Sequence, residues 1–227
     1  MLKPFDQPTR PRIRTIFWDI GGVLLTNGWD RGQRTRVLSR LGVDLVRYEE
    51  MHNAANFYWE RGLSTAEEFF DATVFAPNPE LAFSFSDLWP QVCAESKVLN
   101  PDTLDLLAEL RQTGNYRMAT LNNESRELNE YRLDAFKLRP LFDYFICSGY
   151  VHEMKPNAAI YRDAIDISGF YPETSLFIDD KQENCEAAIA LGMNAIRFES
   201  PVQLRASLAE YGIGTTGQET PVLAGRD

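Results

Sequence analysis

The sequence predicts an α/β fold: a doubly wound parallel sheet with an all-helical unit inserted after its first strand. Three observations predict it. Short apolar runs of strand length alternate with helical patterns in the second half of the chain, the signature of right-handed βαβ units. Near the start, Arg14-Thr-Ile-Phe-Trp-Asp-Ile20 is a similar run stopped by Gly21-Gly22, and it suits a strand buried on both faces. Between these regions, residues 27–98 show helical periodicity and no strand run. The chain therefore divides into a Rossmann-like core over 14–26 and 99–212, a helical cap over 27–98, and flexible termini at 1–13 and 213–227.

Each element follows from local chemistry. After the first strand, helices are predicted over Arg34–Leu41, Val46–Tyr58 and Ser64–Phe75, the last opened by the capping-box pattern Ser64-x-x-Glu67. Pro77, Asn78 and Pro79 break the chain, and Phe83, Phe85, Leu88 and Trp89 form a further apolar cluster. The core resumes near Leu99. Asn100-Pro101 offers an N-cap and a first-turn proline, after which Leu104, Leu107 and Leu110 share one face until Gly114. Strands are predicted over Tyr116–Leu121, Tyr144–Ser148, Ser175–Ile178 and Ala195–Phe198. Helices fall between the later ones, one opened by Pro156 and one over Glu183–Leu191 closed by Gly192. The tail after Ile213 has the composition of a disordered segment.

At 227 residues, 44% hydrophobic and 25% charged, the chain matches a soluble globular protein that can bury its own core. No internal period marks a repeat array. Apolar stretches such as Tyr144 to Cys147 are far shorter than a membrane span. Prolines 4, 8 and 11 stand where a signal peptide would be apolar. Cys93, Cys147 and Cys185 are odd in number and widely spaced, which predicts buried reduced thiols and a cytoplasmic location. A net charge of −10, with no basic run interleaved with aromatics, argues against nucleic-acid binding. An acidic protein that handles an anion needs a local cation, either a metal or a well-placed lysine. The oligomeric state is not legible.

In an open α/β sheet, ligands bind outside the carboxyl ends of the strands. The polar residues there are Asp19 on the first strand, Asn122-Asn123 on the second and Asp179-Asp180 on the fourth, with Lys155 ahead of the Pro156 helix. Singly, each is ordinary turn, cap or surface chemistry. Together, three converging carboxylates would repel one another unless a hard cation sat among them, and Mg²⁺ favours a few carboxylates plus phosphate oxygens. Gly21 lets the backbone approach a metal or phosphate, and a nearby lysine would neutralise a transferring anion. The pattern describes Mg²⁺-assisted attack by a carboxylate on phosphorus.

Trp18-Asp-Ile-Gly-Gly-Val-Leu24, Leu121-Asn122-Asn123, Met154-Lys155-Pro156 and Phe177-Ile-Asp-Asp-Lys-Gln-Glu-Asn184 resemble, in order, the four motifs of the haloacid dehalogenase superfamily. The helical insert resembles its C1-type cap. The subgroup it looks most like is that of sugar-phosphate phosphatases with an aspartate-x-glycine first motif. The resemblance implies Asp19 as a nucleophile that forms an aspartyl-phosphate. It also implies Mg²⁺ held by Asp19, the Gly21 carbonyl and Asp180, with Asp179 a further candidate ligand. Lys155 would orient Asp19 and the phosphate, while Gly22, Asn122 and Asn123 would line the phosphate site. A small phosphorylated metabolite is the implied substrate.

Two positions depart from the family pattern. Gly21 replaces the second aspartate, which acts as general acid, and Leu121 replaces a Ser or Thr hydroxyl. Loss of a general acid costs roughly 10²–10⁴-fold, so the departure requires a slow phosphatase, a leaving group of low pKa or a substitute acid, for which Asp30, His152 and Glu153 are the candidates. Trp29, Phe57, Tyr58 and Trp59 are candidates for stacking on a substrate ring. Two other readings stand beside the phosphatase: a HAD-like binding module without turnover, and a metal-independent dehalogenase, against which the Asp179-Asp180 pair argues.

Overall fold

The structure, a computed structural model, describes residues 11–214. Five parallel strands form one sheet: β1 (Thr15–Trp18), β2 (Arg117–Asn122), β3 (Tyr144–Cys147), β4 (Ser175–Asp179) and β5 (Asn194–Arg197), in the order β3-β2-β1-β4-β5. The chain steps outward from β1 to β2 and β3, then crosses back to β4 and β5. The direction of winding therefore reverses at β1, and Asp19 follows that strand. In register, Trp18 pairs with Thr120 on one side and Ile178 on the other.

Period-2 alternation splits the strands between two apolar layers. Ile16, Trp18 and Met118 face one layer with Leu106, Leu107 and Leu110 of α5 (Pro101–Thr113) and Leu204 and Leu208 of α10 (Pro201–Glu210). Phe17, Ala119, Leu121 and Phe177 face the other, with Ile160, Tyr161 and Ala164 of α8 (Ala158–Ser168) and Ala188 of α9 (Gln182–Ala190). The sequence reading missed α6 (Arg126–Ala135), α7 (Ser148–Val151) and α10. The Pro156 helix begins two residues later than expected, at Ala158, because Asn157 is its N-cap and accepts from the Ala159 amide.

The insert between β1 and β2 contains α1 (Arg31–Arg40), α2 (Leu45–Trp59), α3 (Ala66–Phe70) and α4 (Phe85–Ala94), with a π-helical turn over Asp71–Phe75 after α3. The capping box of α3 is Thr65 with Glu68, one residue beyond the expected Ser64–Glu67. An aromatic core holds the insert together: Trp59 stacks on Phe69 at 4.3 Å between centroids, edge-on to Phe70 and Trp89. Each such ring buried contributes roughly 2 kcal/mol or more from its area alone. An antiparallel bridge ties insert to core where Leu25 opposes Val98, with the Thr26 amide donating to the Lys97 carbonyl and the Leu99 amide to that of Leu24.

Ile13 and Ile213, placed by the sequence reading in flexible termini, are buried in the sheet's apolar layer. Residues 1–10 and 215–227 of those termini lie outside the described residues. No described helix is long and apolar enough to cross a membrane. Cys93, Cys147 and Cys185 are buried and free.

Candidate active site

Asp19 leaves β1 at the point where the winding reverses. Its Oδ1 accepts from the Ile20 amide at 2.8 Å and pairs with Lys155 Nζ at 3.1 Å, while Oδ2 has no hydrogen-bond partner among the described residues. The chain then turns tightly, with Leu24 and Leu25 amides donating to the Ile20 carbonyl and Gly22 to Leu25. None of the turn's bonds goes to the Gly21 carbonyl. Gly22 needs to be glycine on two counts: its φ is +78°, and a Cβ there would fall 2.4 Å from Asp180 Oδ2.

Lys155 is the electrostatic hub. Its side chain is 1% exposed and reaches Asp179 Oδ2 at 2.6 Å as well as Asp19. Burial pulls its pKa down, but the Asp19 and Asp179 carboxylates outweigh burial and leave it raised. Asp179 is fully enclosed, with Oδ1 accepting from the Lys181 amide and both oxygens from Asn184 Nδ2. Asn123 grips the lysine's main chain at both ends, accepting from Lys155 N–H and donating to its carbonyl.

Asp19, Asp179 and Asp180 each offer an oxygen, all within 4.8 Å of one another. Burial first, then the neighbouring carboxylates against the opposing Lys155, push Asp19 up to about 7. Burial and Asp179 likewise raise Asp180. A divalent cation among them would reverse both shifts. The residues fit such an ion: the donors are hard oxygens, and Asp180 Oδ1 is buried with no hydrogen-bond partner. Asp180, Asp19 Oδ2 and the Gly21 carbonyl have the free acceptors; the oxygens of Asp179 are already occupied.

A cavity of about 470 Å³ opens between this cluster and the insert. Asp19, Gly21, Asn123, Lys155 and Asp30 line it. Asn122 does not: its amide donates to Asn129 in a buried polar chain behind the strand end. Alternation explains the difference, since Leu121 shares the Asp19 face and Asn122 points to the other. Asp30 is the N-cap of α1, its Oδ1 accepting from the Gln33 amide at 2.8 Å. His152 and Glu153 are absent from the lining. His152 exchanges two bonds with Arg61 of the insert, and Glu153 pairs with the same arginine. Of the aromatics, Trp29 lines the cavity, Trp59 is buried in the insert's core, and Phe57 and Tyr58 are exposed outside it.

The sequence reading missed the insert's contribution. His52, Asn56 and Glu60 recur every four residues along α2 and its C-cap, and all three line the cavity, as do Arg34 and Arg132. That spacing was the available signal. Trp29 Nε1–H donates to the Tyr48 hydroxyl at 2.8 Å, and the hydroxyl lies 3.2 Å from His52 Nδ1. Burial holds His52 down to about 4, so the ring is neutral near pH 7.

A parallel sheet with a carboxylate at its switch point, a buried lysine and an acidic pair is the arrangement of a class of hydrolase. Residues 13–192 match the haloacid dehalogenase-like hydrolase family, and the chain belongs to it. It is 26% identical to the phosphoglycolate phosphatase of Pseudomonas putida over 83% of this chain and 69% of that protein. It is 25% identical to the glyceraldehyde 3-phosphate phosphatase of Methanothermobacter thermautotrophicus over 83% of this chain and 86% of that one. Two further matches cover less than half of the relative: 86% of this chain spans 36% of drimenol cyclase drtB of Aspergillus calidoustus, and 50% of it spans 47% of flavin mononucleotide hydrolase 1 of Arabidopsis thaliana. Its fold is similar to that of a haloacid dehalogenase family enzyme of Bacteroides thetaiotaomicron solved with magnesium and inorganic phosphate. The TM-score is 0.68 at 24% identity, covering 82% of this chain and 94% of that one.

Proposed function

We propose that the protein is a Mg²⁺-dependent phosphomonoester hydrolase, acting in the cytoplasm on a small phosphorylated metabolite through a phosphoryl group carried on Asp19. We read its insert as a C1-type cap and its first motif as that of the aspartate-x-glycine subgroup. One observation carries the reading. A carboxylate with one free oxygen is held at its other oxygen by a buried lysine, beside a second carboxylate whose buried oxygen has no partner. The phosphatase relatives support the substrate class.

Asp19 Oδ2 attacks phosphorus while the Ile20 amide and Lys155 hold Oδ1 in place. The ester P–O bond breaks, and the leaving oxygen takes up a proton. Water then attacks the same phosphorus, the P–Oδ2 bond breaks, and inorganic phosphate and the free carboxylate are restored. Lys155 offsets charge on the transferring group, and Asp179 and Asn123 keep the lysine in position. Mg²⁺, held by Asp19, Asp180 and the Gly21 carbonyl, would supply further charge neutralisation. A metal-free dehalogenase gains nothing from Asp180 beside its nucleophile.

The test is phosphate release from a panel of small esters, with and without Mg²⁺. Wild type should require the ion, and Asp19→Asn should fall by about 10⁴-fold or more and bind no beryllofluoride. Mg²⁺ should also raise the wild-type melting temperature by binding linkage, and Asp180→Ala should abolish that shift. Wild-type turnover in Asp19→Asn, or an unchanged Mg²⁺ shift in Asp180→Ala, overturns the assignment.

A further inference from the structure

Gly21 leaves the first motif without a proton donor, and the structure limits what could take its place there. A Cβ at Gly21 would meet Asn27 Oδ1 at 3.1 Å, so the neutral Asn27 side chain stands beside the vacant position. Three carboxyl groups that line the cavity remain as donors: Asp19, Asp30 and Glu60. Asp19 is the nucleophile, and Asp30 caps α1. Glu60 has no ion-pair partner among the described residues, and Asn56 is its side-chain hydrogen-bond partner.

We propose that Glu60, brought by the cap, is the acid that protonates the leaving oxygen. The proposal rests on the phosphatase reading above. When Asp19 Oδ2 bonds to phosphorus and the ester P–O bond breaks, the Glu60 carboxyl proton passes to the departing oxygen, giving a neutral alcohol and a Glu60 carboxylate. In the second step the attacking water gives its proton to that carboxylate as the P–Oδ2 bond breaks, which restores both residues.

Two further observations support it. The first is anchoring. Glu60 sits where cap and core interlock: its carbonyl accepts from Ser148 Oγ at 2.6 Å, and Arg61 and His152 exchange side-chain-to-carbonyl bonds next to it. Gly62 packs so closely that a Cβ would lie 2.2 Å from the Gly149 carbonyl. A residue fixed to the core at both flanks delivers its side chain to one place, as proton transfer demands. The second is environment. Lys181 from the core and Arg34 from α1 face the group and lower its pKa, and Glu124 is a like charge nearby; burial outweighs the cations and leaves Glu60 raised.

A sugar alkoxide leaves as a strong base and needs the proton; p-nitrophenolate does not. Turnover of glucose 6-phosphate and p-nitrophenyl phosphate therefore separates the roles, with Mg²⁺ present. Glu60→Gln should slow the alkyl ester by 100-fold or more and the aryl ester by less than 10-fold. Glu60→Asp, which keeps an acid but retracts it by one methylene, should recover part of the alkyl loss. Equal losses on both esters would assign Glu60 to packing, and a selective alkyl loss in Asp30→Asn with none in Glu60→Gln would move the role to Asp30. Either result overturns the proposal and leaves the phosphatase reading standing. No release from either ester by wild type overturns both.

Discussion

The strand ends of the core and the inner face of the cap enclose one cavity, but they treat their polar groups in opposite ways. In the core, polar groups are bound to one another: Lys155 makes two ion pairs, and Asp179 accepts from Lys155, Asn184 and the Lys181 amide. On the cap, His52 is tied only through Nδ1, and Glu60 has no cation at ion-pair distance among the described residues. A network that satisfies itself holds a fixed geometry with or without substrate, which suits groups that must meet phosphorus at one angle. The row keeps donors and acceptors beyond its Asn56–Glu60 and Tyr48–His52 bonds, and these are completed by whatever enters. On the proposed reading the core therefore carries the nucleophile and part of the stability together, whereas cap residues can change with less cost to the fold.

The sharpest way to break this contrast is to remove the hub. Lys155→Met keeps the length of the side chain and deletes the charge, leaving Asp19 and Asp179 buried without their cation. Urea denaturation in EDTA at pH 8 should show a loss of about 3–5 kcal/mol. The sign of its pH dependence follows from linkage. Burial already holds the folded pKa of Asp19 above its unfolded one, and losing the lysine raises it further, so the variant gains stability as pH falls and Asp19 takes up a proton. The deficit should shrink by pH 5. A deficit below 1 kcal/mol at both pH values would mean that the core network is not structural.

How much of this was legible depends on the kind of signal. Asp19, Lys155 and Asp180 could be read because each stands beside a strand end or a helix start, where short contiguous motifs carry the chemistry. The choice between Asn122 and Asn123 could not, because a single step along a strand end decides which face a side chain takes. The Ser64–Glu67 box missed by one residue, since Thr65–Glu68 offers the same chemistry one position on. The π-helical turn after α3 has no sequence signature. In the cap, apolar periodicity marks only the buried faces of the helices, and the polar row His52, Asn56 and Glu60 is signalled by its four-residue spacing alone. Arg132 was unreadable for another reason: its helix, α6, went unassigned.

The second test targets the seam between the two regions. Gly62 has φ of +62° and lies against the Gly149 carbonyl, so Gly62→Ala meets both backbone strain and a steric clash. The expected loss is about 1–3 kcal/mol, with faster proteolysis at the 60–65 turn than elsewhere. A stability loss without local proteolysis would show that cap and core unfold as one unit, and the contrast between them would weaken.

The smallest expected effect is a pH dependence placed in the cap. His52 is 5% exposed, and burial first, then Arg34, against the opposing Glu49, hold its pKa at about 4 instead of the ordinary 6.5. The unfolded chain binds a proton there below pH 6.5 that the folded chain refuses until about pH 4. Stability from this group is therefore complete above pH 6.5 and is lost as pH falls through that window. The loss is on the order of 2 kcal/mol after allowance for solvent at the cavity. Asp19 and Glu124, both raised to about 7 chiefly by burial, act in the opposite sense over the same range, so wild type alone would not reveal it. The difference between wild type and His52→Gln isolates the group, because the carboxylates are common to both. Measured by urea denaturation from pH 7.5 to 4.5, the variant should gain on wild type as pH falls. A constant difference across the range would mean that folding leaves the His52 pKa at its ordinary 6.5, and below that pH the cap would face its substrate with a cation instead of a neutral ring.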